Sequence, residues 1–217
     1  MDRIIRVTGE SRISVHPDTI QLKITAEGIS EEYGKAVKKS AIESDLIRNS
    51  ISRAGLDPKD LKTILVNIEP EYEQYQDQQY NWKKKFIGYK HSHYMSVRFP
   101  NDNTILGRVF DELARCPVKV EFSIQYTVND SEAAKNALLA RAVSDSKEKA
   151  VILTEAAGVT LGDIVTIDYS WGELEIYSQP WNVMKHDVLE CAGGSDFNFE
   201  ASDINLQDTV TVVWEIK

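Results

Sequence analysis

The chain has 217 residues and a formal net charge of −9, with 34 Asp and Glu against 25 Lys and Arg. A surface biased that way repels phosphate backbones and anionic membrane, which argues against nucleic acid as a general partner. Hydrophobic residues make up an ordinary globular 42%, and no stretch approaches the roughly 18 uninterrupted apolar residues of a spanning helix, so no membrane span is expected.

The chain opens Met1-Asp2-Arg3 and passes directly into the alternating Ile4-Ile5-Arg6-Val7. That opening has no basic segment followed by a long apolar run, the mark of a secretory leader, so the expectation is a cytoplasmic protein. An exported protein whose leader had been removed would read the same way. Cys116 and Cys191 are too few and too far apart for a disulfide framework, and they read as two reduced thiols.

Period-two alternation predicts a first strand with Ile5, Val7, Ile13 and Val15 on one face. A second strand sets Ile20, Leu22, Ile24 and Ala26 inward and Thr19, Gln21, Lys23, Thr25 and Glu27 toward water. Ser30 is the expected cap of a helix with Glu31 and Glu32 in its first turn, stopping at Gly55. Ile64, Val66 and Ile68 alternate in the next strand. Residues 69 to 85 read as a polar, tyrosine-rich excursion, followed by a strand from Phe86 to Phe99. Asp102 caps a helix ending near Cys116-Pro117, and a strand carries Val118, Val120, Phe122, Ile124, Tyr126 and Val128 on one face. Asp130 then caps the longest helix, which closes at Ala157-Gly158. Val165, Ile167 and Tyr169 form another strand. An irregular arm runs from 171 to 203, and the last strand, Thr209 to Ile216, buries Val210, Val212, Trp214 and Ile216.

One internal echo stands out. Ala54-Gly55 leads to Asp60-Leu61-Lys62-Thr63-Ile64, and Ala157-Gly158 leads to Asp163-Ile164-Val165-Thr166-Ile167 at a constant offset. A strand and a long helix precede each copy. This predicts a duplicated strand–helix–strand unit, about residues 18–72 and 118–170, within a single domain spanning residues 1–217. The fold class is α+β, with long helices packed on antiparallel or mixed sheet. Ala142, Ser146, Ala150, Leu153 and Ala157 form a stripe of mostly small residues, best read as close packing of the long helix inside the molecule.

The segment Val7-Thr8-Gly9-Glu10-Ser11-Arg12-Ile13-Ser14-Val15-His16-Pro17-Asp18 resembles the opening of SIMPL-domain proteins, although Ser11 stands where glycine is usual. Ordered matches follow at Ala54-Gly55, Asp60-Leu61-Lys62-Thr63, Pro70 with Tyr72, Gly88-Tyr89, Ala133-Ala134, Ala142-Val143, Ala150, Ala156-Ala157-Gly158-Val159 and Thr209-Val210-Thr211-Val212. The likeness covers nearly the whole chain. It implies a family of largely undefined molecular function. Some bacterial members are exported and linked to stress resistance or antigenicity, some form ring-like oligomers, and an animal member is named for binding a signalling kinase. The resemblance brings no catalytic residues and no cofactor.

Among candidate sites, His91 and His93 lie two apart on a strand and share a face with Ile87, Tyr89, Met95, Val97 and Phe99. Two such imidazoles can ligate a metal with a third ligand from His186, Glu190, Cys191 or an acidic side chain, or can simply hydrogen-bond at the edge of a core or subunit contact. The grouping of His186 and Asp187 with Glu190 and Cys191 suggests a thiol and its base, but neighbouring carboxylates disfavour a thiolate. Trp82-Lys83-Lys84-Lys85 is a small basic patch that reads as solvated. Phosphate-loop, nucleophile-elbow and paired Cys-x-x-Cys signatures are absent from the sequence. Tyr72, Tyr75, Tyr80 and Trp82, and Trp171 and Trp181 in the arm, read as contact residues, since tyrosine and tryptophan concentrate where proteins meet. The leading expectation is a non-enzymatic homo-oligomer or scaffold with a protein partner and no cofactor. The alternative is a metal- or small-ligand-binding protein centred on His91 and His93.

Overall fold

The computed structural model describes residues 3–169, 176–178 and 199–217, with the backbone path alone for 181–184. The elements in chain order are β1 (Ile4–Val15), β2 (Thr19–Ser30), α1 (Tyr33–Arg53), β3 (Lys62–Gln76), β4 (Trp82–Pro100), α2 (Asn103–Ala114), β5 (Val120–Thr127), α3 (Ser131–Ala156), β6 (Leu161–Asp168), β7 (Trp181–Met184) and β8 (Ile204–Ile216). The fold is α+β, and its two sheets are antiparallel along every strand pair for which the register is given. The contacts define two compact units. One comprises residues 1–17, 127–178 and 201–217, and the other comprises residues 18–126 and 179–200.

In the first unit β1, β8 and β6 form a sheet in that order, with α3 laid across it. Val7, Val210, Val212 and Trp214 meet Ala142 and Ala150 of the helix in a dry core. The contact is close because both surfaces are small. A Cβ built on Gly9 would stand 1.9 Å from the carbonyl oxygen of Ala142 and 2.9 Å from Ser146 Cβ. The Ser146 hydroxyl donates to the carbonyl of Val7 at 3.2 Å. The small-residue stripe is therefore an intramolecular seam over Ala142, Ser146 and Ala150, whereas Leu153 and Ala157 are exposed. A second cluster gathers Val128, Leu138, Ile176, Ile204 and Leu206.

In the second unit the strand order is β3-β4-β2-β5-β7. Ile20, Leu22, Ile24 and Ala26 of β2, Met95, Val97 and Phe99 of β4, and Val120, Phe122 and Ile124 of β5 are buried in one cluster with Ile47 and Ile51 of α1 and Leu106, Val109, Phe110 and Leu113 of α2. On the opposite face, Thr19 and Gln21 are also buried, contrary to the expected wet side, and Gln21 donates to Ser96 across the β2–β4 pair at 3.0 Å.

Several boundaries differ from the sequence reading, each for a physical reason. Ser30 does not cap α1, because it pairs with Tyr89 as the last residue of β2. Glu32 occupies the cap position without a side-chain capping bond and is salt-bridged to Lys35 at 2.8 Å. The caps at Asp102 and Asp130 are made as expected, accepting from the backbone N–H groups of Thr104 and Ala133. Gly55 and Gly158 hold φ of +93° and +71° after their helices, a region costly for side-chain-bearing residues.

The largest difference lies between residues 69 and 85. Instead of a loop excursion, β3 and β4 continue as a long two-stranded hairpin closed by a turn at 77–81. Asp77 holds that turn by accepting from the N–H groups of Gln79 and Asn81 and pairing with Lys83 at 2.9 Å. Across the ladder Glu69 faces Lys90 and Glu73 faces Lys85, and the Lys90 ammonium itself pairs with Glu27 of β2 at 2.8 Å.

The two copies of the internal echo do not occupy matching sheet positions. The strands β2 and β3 belong to one sheet, whereas β5 and β6 belong to different sheets. The structure therefore does not confirm a repeated unit. What recurs is a local task, a return from a helix through a left-handed glycine into an edge strand. Of the arm expected at 171–203, the described parts include a bridge between Thr127 and Tyr177, the buried Ile176, the pairing of β7 with β5 and residues 199–203. β8 begins at Ile204, five residues before the expected Thr209.

Candidate functional site

Strand β4 carries His91 and His93 on the face that meets α1, and both are buried. His91 Nε2 lies 2.7 Å from Glu43 Oε2 on α1, and Glu43 also stands 3.9 Å from Lys39. The other ring nitrogen of His91, Nδ1, has no hydrogen-bond partner. The imidazole fits only because residue 28 is glycine, since a Cβ there would come within 2.7 Å of His91 Cε1.

His93 has different neighbours. Its Nδ1 lies 3.2 Å from the hydroxyl of Ser40 on α1, and its Nε2 lies 2.9 Å from the hydroxyl of Thr63 on β3. Burial, opposed by a bond to the backbone of Ser40 and assisted by the nearby charges of His91 and Arg48, holds the His93 pKa below its ordinary 6.5. Arg48 donates to the carbonyls of Pro58 and Leu61, closing the loop that leads into β3. The two histidines thus share a face yet bond to separate partners, and both nitrogens of His93 are engaged. Among the described residues no group of three or more His, Cys, Asp or Glu side chains is placed to hold a metal. His186, Asp187, Glu190 and Cys191 lie outside the described residues.

The predicted contact residues divide. Tyr72 and Trp82 lie on the α1-side face of the hairpin, where that face runs out beyond the start of the helix. Two residues unmarked as contacts in the sequence, Phe86 and Tyr33, join them there with Tyr89. Ring centroids step from Tyr33 to Tyr89 at 5.7 Å, from Tyr89 to Phe86 at 5.4 Å and from Phe86 to Tyr72 at 5.7 Å, all edge-on. A bulge at Ile87, with Gly88 at φ +143°, keeps Phe86 and Tyr89 on one side. Tyr75 points to the other face and Tyr80 sits in the turn at φ +61°. Trp181 lies in β7, where only its backbone is described, and Trp171 lies outside the described residues. Lys83 and Lys85 fall on the face opposite to Lys84, so the basic run makes no single stripe.

β3 itself forms one edge of its sheet and exposes Ile64, Leu65 and Val66 at 58%, 55% and 44%. Pro70, which has no N–H, sits in the middle of this strand opposite Tyr89, a placement tolerated where the nitrogen faces an open edge.

The family model described as "SIMPL: Protein of unknown function (DUF541)" matches residues 5–214. The chain belongs to the SIMPL family. Two relatives of this SIMPL protein are each called "26 kDa periplasmic immunogenic protein". The one from Brucella melitensis is 28% identical over 98% of this chain and 84% of its own length. The one from Brucella abortus is 27% identical over the same shares. These likenesses overturn the cytoplasmic expectation, because relatives matched over nearly the whole chain are named periplasmic. That expectation rested on the residues at the start of the chain, which say nothing about the compartment in which the folded domain works.

Proposed function

We propose that this SIMPL protein is a non-enzymatic interaction protein that assembles with copies of itself and acts, as the names of its relatives suggest, in the periplasm. The observation that carries this reading is the free edge of β3. A 15-residue edge strand with three large apolar side chains exposed in succession is the kind of edge that soluble proteins ordinarily cover or blunt. Pro70 interrupts the row of donors, so a partner strand has two stretches to pair with, 63–69 and 71–76. The apolar first stretch supplies the burial and the aromatic face of the hairpin supplies a second contact.

Light scattering on the eluting protein tests the reading. A mass that is a multiple of 24.6 kDa at micromolar concentration is expected, and Leu65→Lys, which places a charge on the edge, is expected to shift the population toward the single chain. A wild-type monomer at that concentration would overturn it.

A further inference from the structure

His93, Ser40 and Thr63 come from three different elements, and their order is that of an activated nucleophile. In the tautomer with its proton on Nδ1, His93 donates to Ser40, and its Nε2 is left to accept from the hydroxyl of Thr63 at 2.9 Å. His93 and Ser40 are buried, whereas Thr63 is exposed at the sheet edge. Without the bulge at Ile64, the register of β3 would put Thr63 on the opposite face with Leu65. The inserted residue instead sets Thr63 opposite Met95, on the histidine side. Bulges are a recurrent means of re-aiming one side chain at a functional position. The lowered His93 pKa keeps the imidazole neutral, and so able to take a proton, at neutral pH.

We infer that Thr63 is an activated hydroxyl that accepts acyl groups from activated esters, with His93 as its base and Ser40 as the positioning residue that fixes the imidazole. In that step Thr63 Oγ1 bonds to the carbonyl carbon of the ester while its proton passes to His93 Nε2. The bond from that carbon to the departing alkoxide or phenolate breaks, and the departing oxygen takes up the proton from His93. The products are an ester on Thr63 and a free alcohol or phenol, with no change of oxidation state. This assignment concerns covalent modification rather than turnover, and because Thr63 opens the edge stretch proposed for assembly, the adduct is read in Leu65→Lys as well as in the wild type.

The test uses the full chain with p-nitrophenyl acetate, following p-nitrophenolate release and mapping the adduct by peptide mass spectrometry. One equivalent is expected, located on Thr63, at a rate that rises as His93 loses its proton and is level by neutral pH. Thr63→Val should abolish the adduct, Thr63→Ser should retain it, and His93→Gln, which can still accept from Thr63, should slow it about 100-fold. Acetyl found only on lysines, or an unchanged rate in His93→Gln, would overturn the inference. If His93→Gln does not fold, Ser40→Ala decides instead: a rate reduced about tenfold supports the assignment, and an unchanged rate refutes it.

Discussion

Replacing Gly9 with alanine should damage the first unit more than any single methyl group normally does. The added Cβ would lie 1.9 Å from the backbone oxygen of Ala142 and 2.6 Å from the backbone nitrogen of Ser146. Ordinary contact begins near 3.4 Å, so β1 and α3 must separate by up to about 1.5 Å. Neither obstacle is the tip of a flexible side chain, so the helix as a whole has to move. Movement on that scale would loosen Ala142 and Ala150 from Val7, Val210 and Val212 and strain the bond from Ser146 to Val7. Overpacking of this kind costs about 3 kcal/mol at the upper end of its usual range. Urea denaturation followed by tryptophan fluorescence, with amide exchange along α3 to identify the unit affected, measures the effect. Gly34→Ala is the control, since its Cβ meets nothing within 4 Å in the first turn of α1, and it should stabilise by about 0.5 kcal/mol. If Gly9→Ala unfolds within about 0.5 kcal/mol of the wild type, the close-seam account of the β1–α3 contact is wrong.

Two further outcomes follow from the second unit. Asp102→Ala removes the bond to the Thr104 N–H at 2.7 Å and should cost about 1 kcal/mol, read as a lower urea midpoint with an unchanged slope. His93 has a lowered pKa in the fold, so the unfolded chain binds the proton more readily. Its contribution is therefore present above pH 6.5 and is lost as the pH falls below that value, so stability should decline on acidification below pH 6.5 in the wild type and less steeply in His93→Gln. Equal slopes for the two proteins would remove His93 from the account of acid sensitivity.

Features with local causes were legible in the sequence. The inward row Ile20, Leu22, Ile24 and Ala26, the caps at Asp102 and Asp130 and the stops at Gly55 and Gly158 each depend on a few neighbouring residues. The hairpin was not legible, because its strands are built of Glu, Gln, Lys and Tyr without a sustained apolar alternation. The echo has a local account as well: two edge strands entered from a glycine-stopped helix face the same demands without sharing a sheet. At the histidines the shared face was legible but the partners were not. Ser40 sits in an α1 stripe with Ala36 and Ser44 that carries no apolar signal, and Thr63 reaches His93 only through the slip at Ile64.

The charged side of the hairpin has a consequence for its aromatic side. With Lys90 paired to Glu27, and with Asp77 clasping the turn and Lys83, the plate formed by Tyr33, Tyr89, Phe86 and Tyr72 is already in shape before anything touches it. A partner docking there would not have to freeze a wandering loop, so little of the free energy of contact would be spent on ordering. High salt, which screens the charged side, should therefore weaken such docking even though the docking surface itself carries mainly rings.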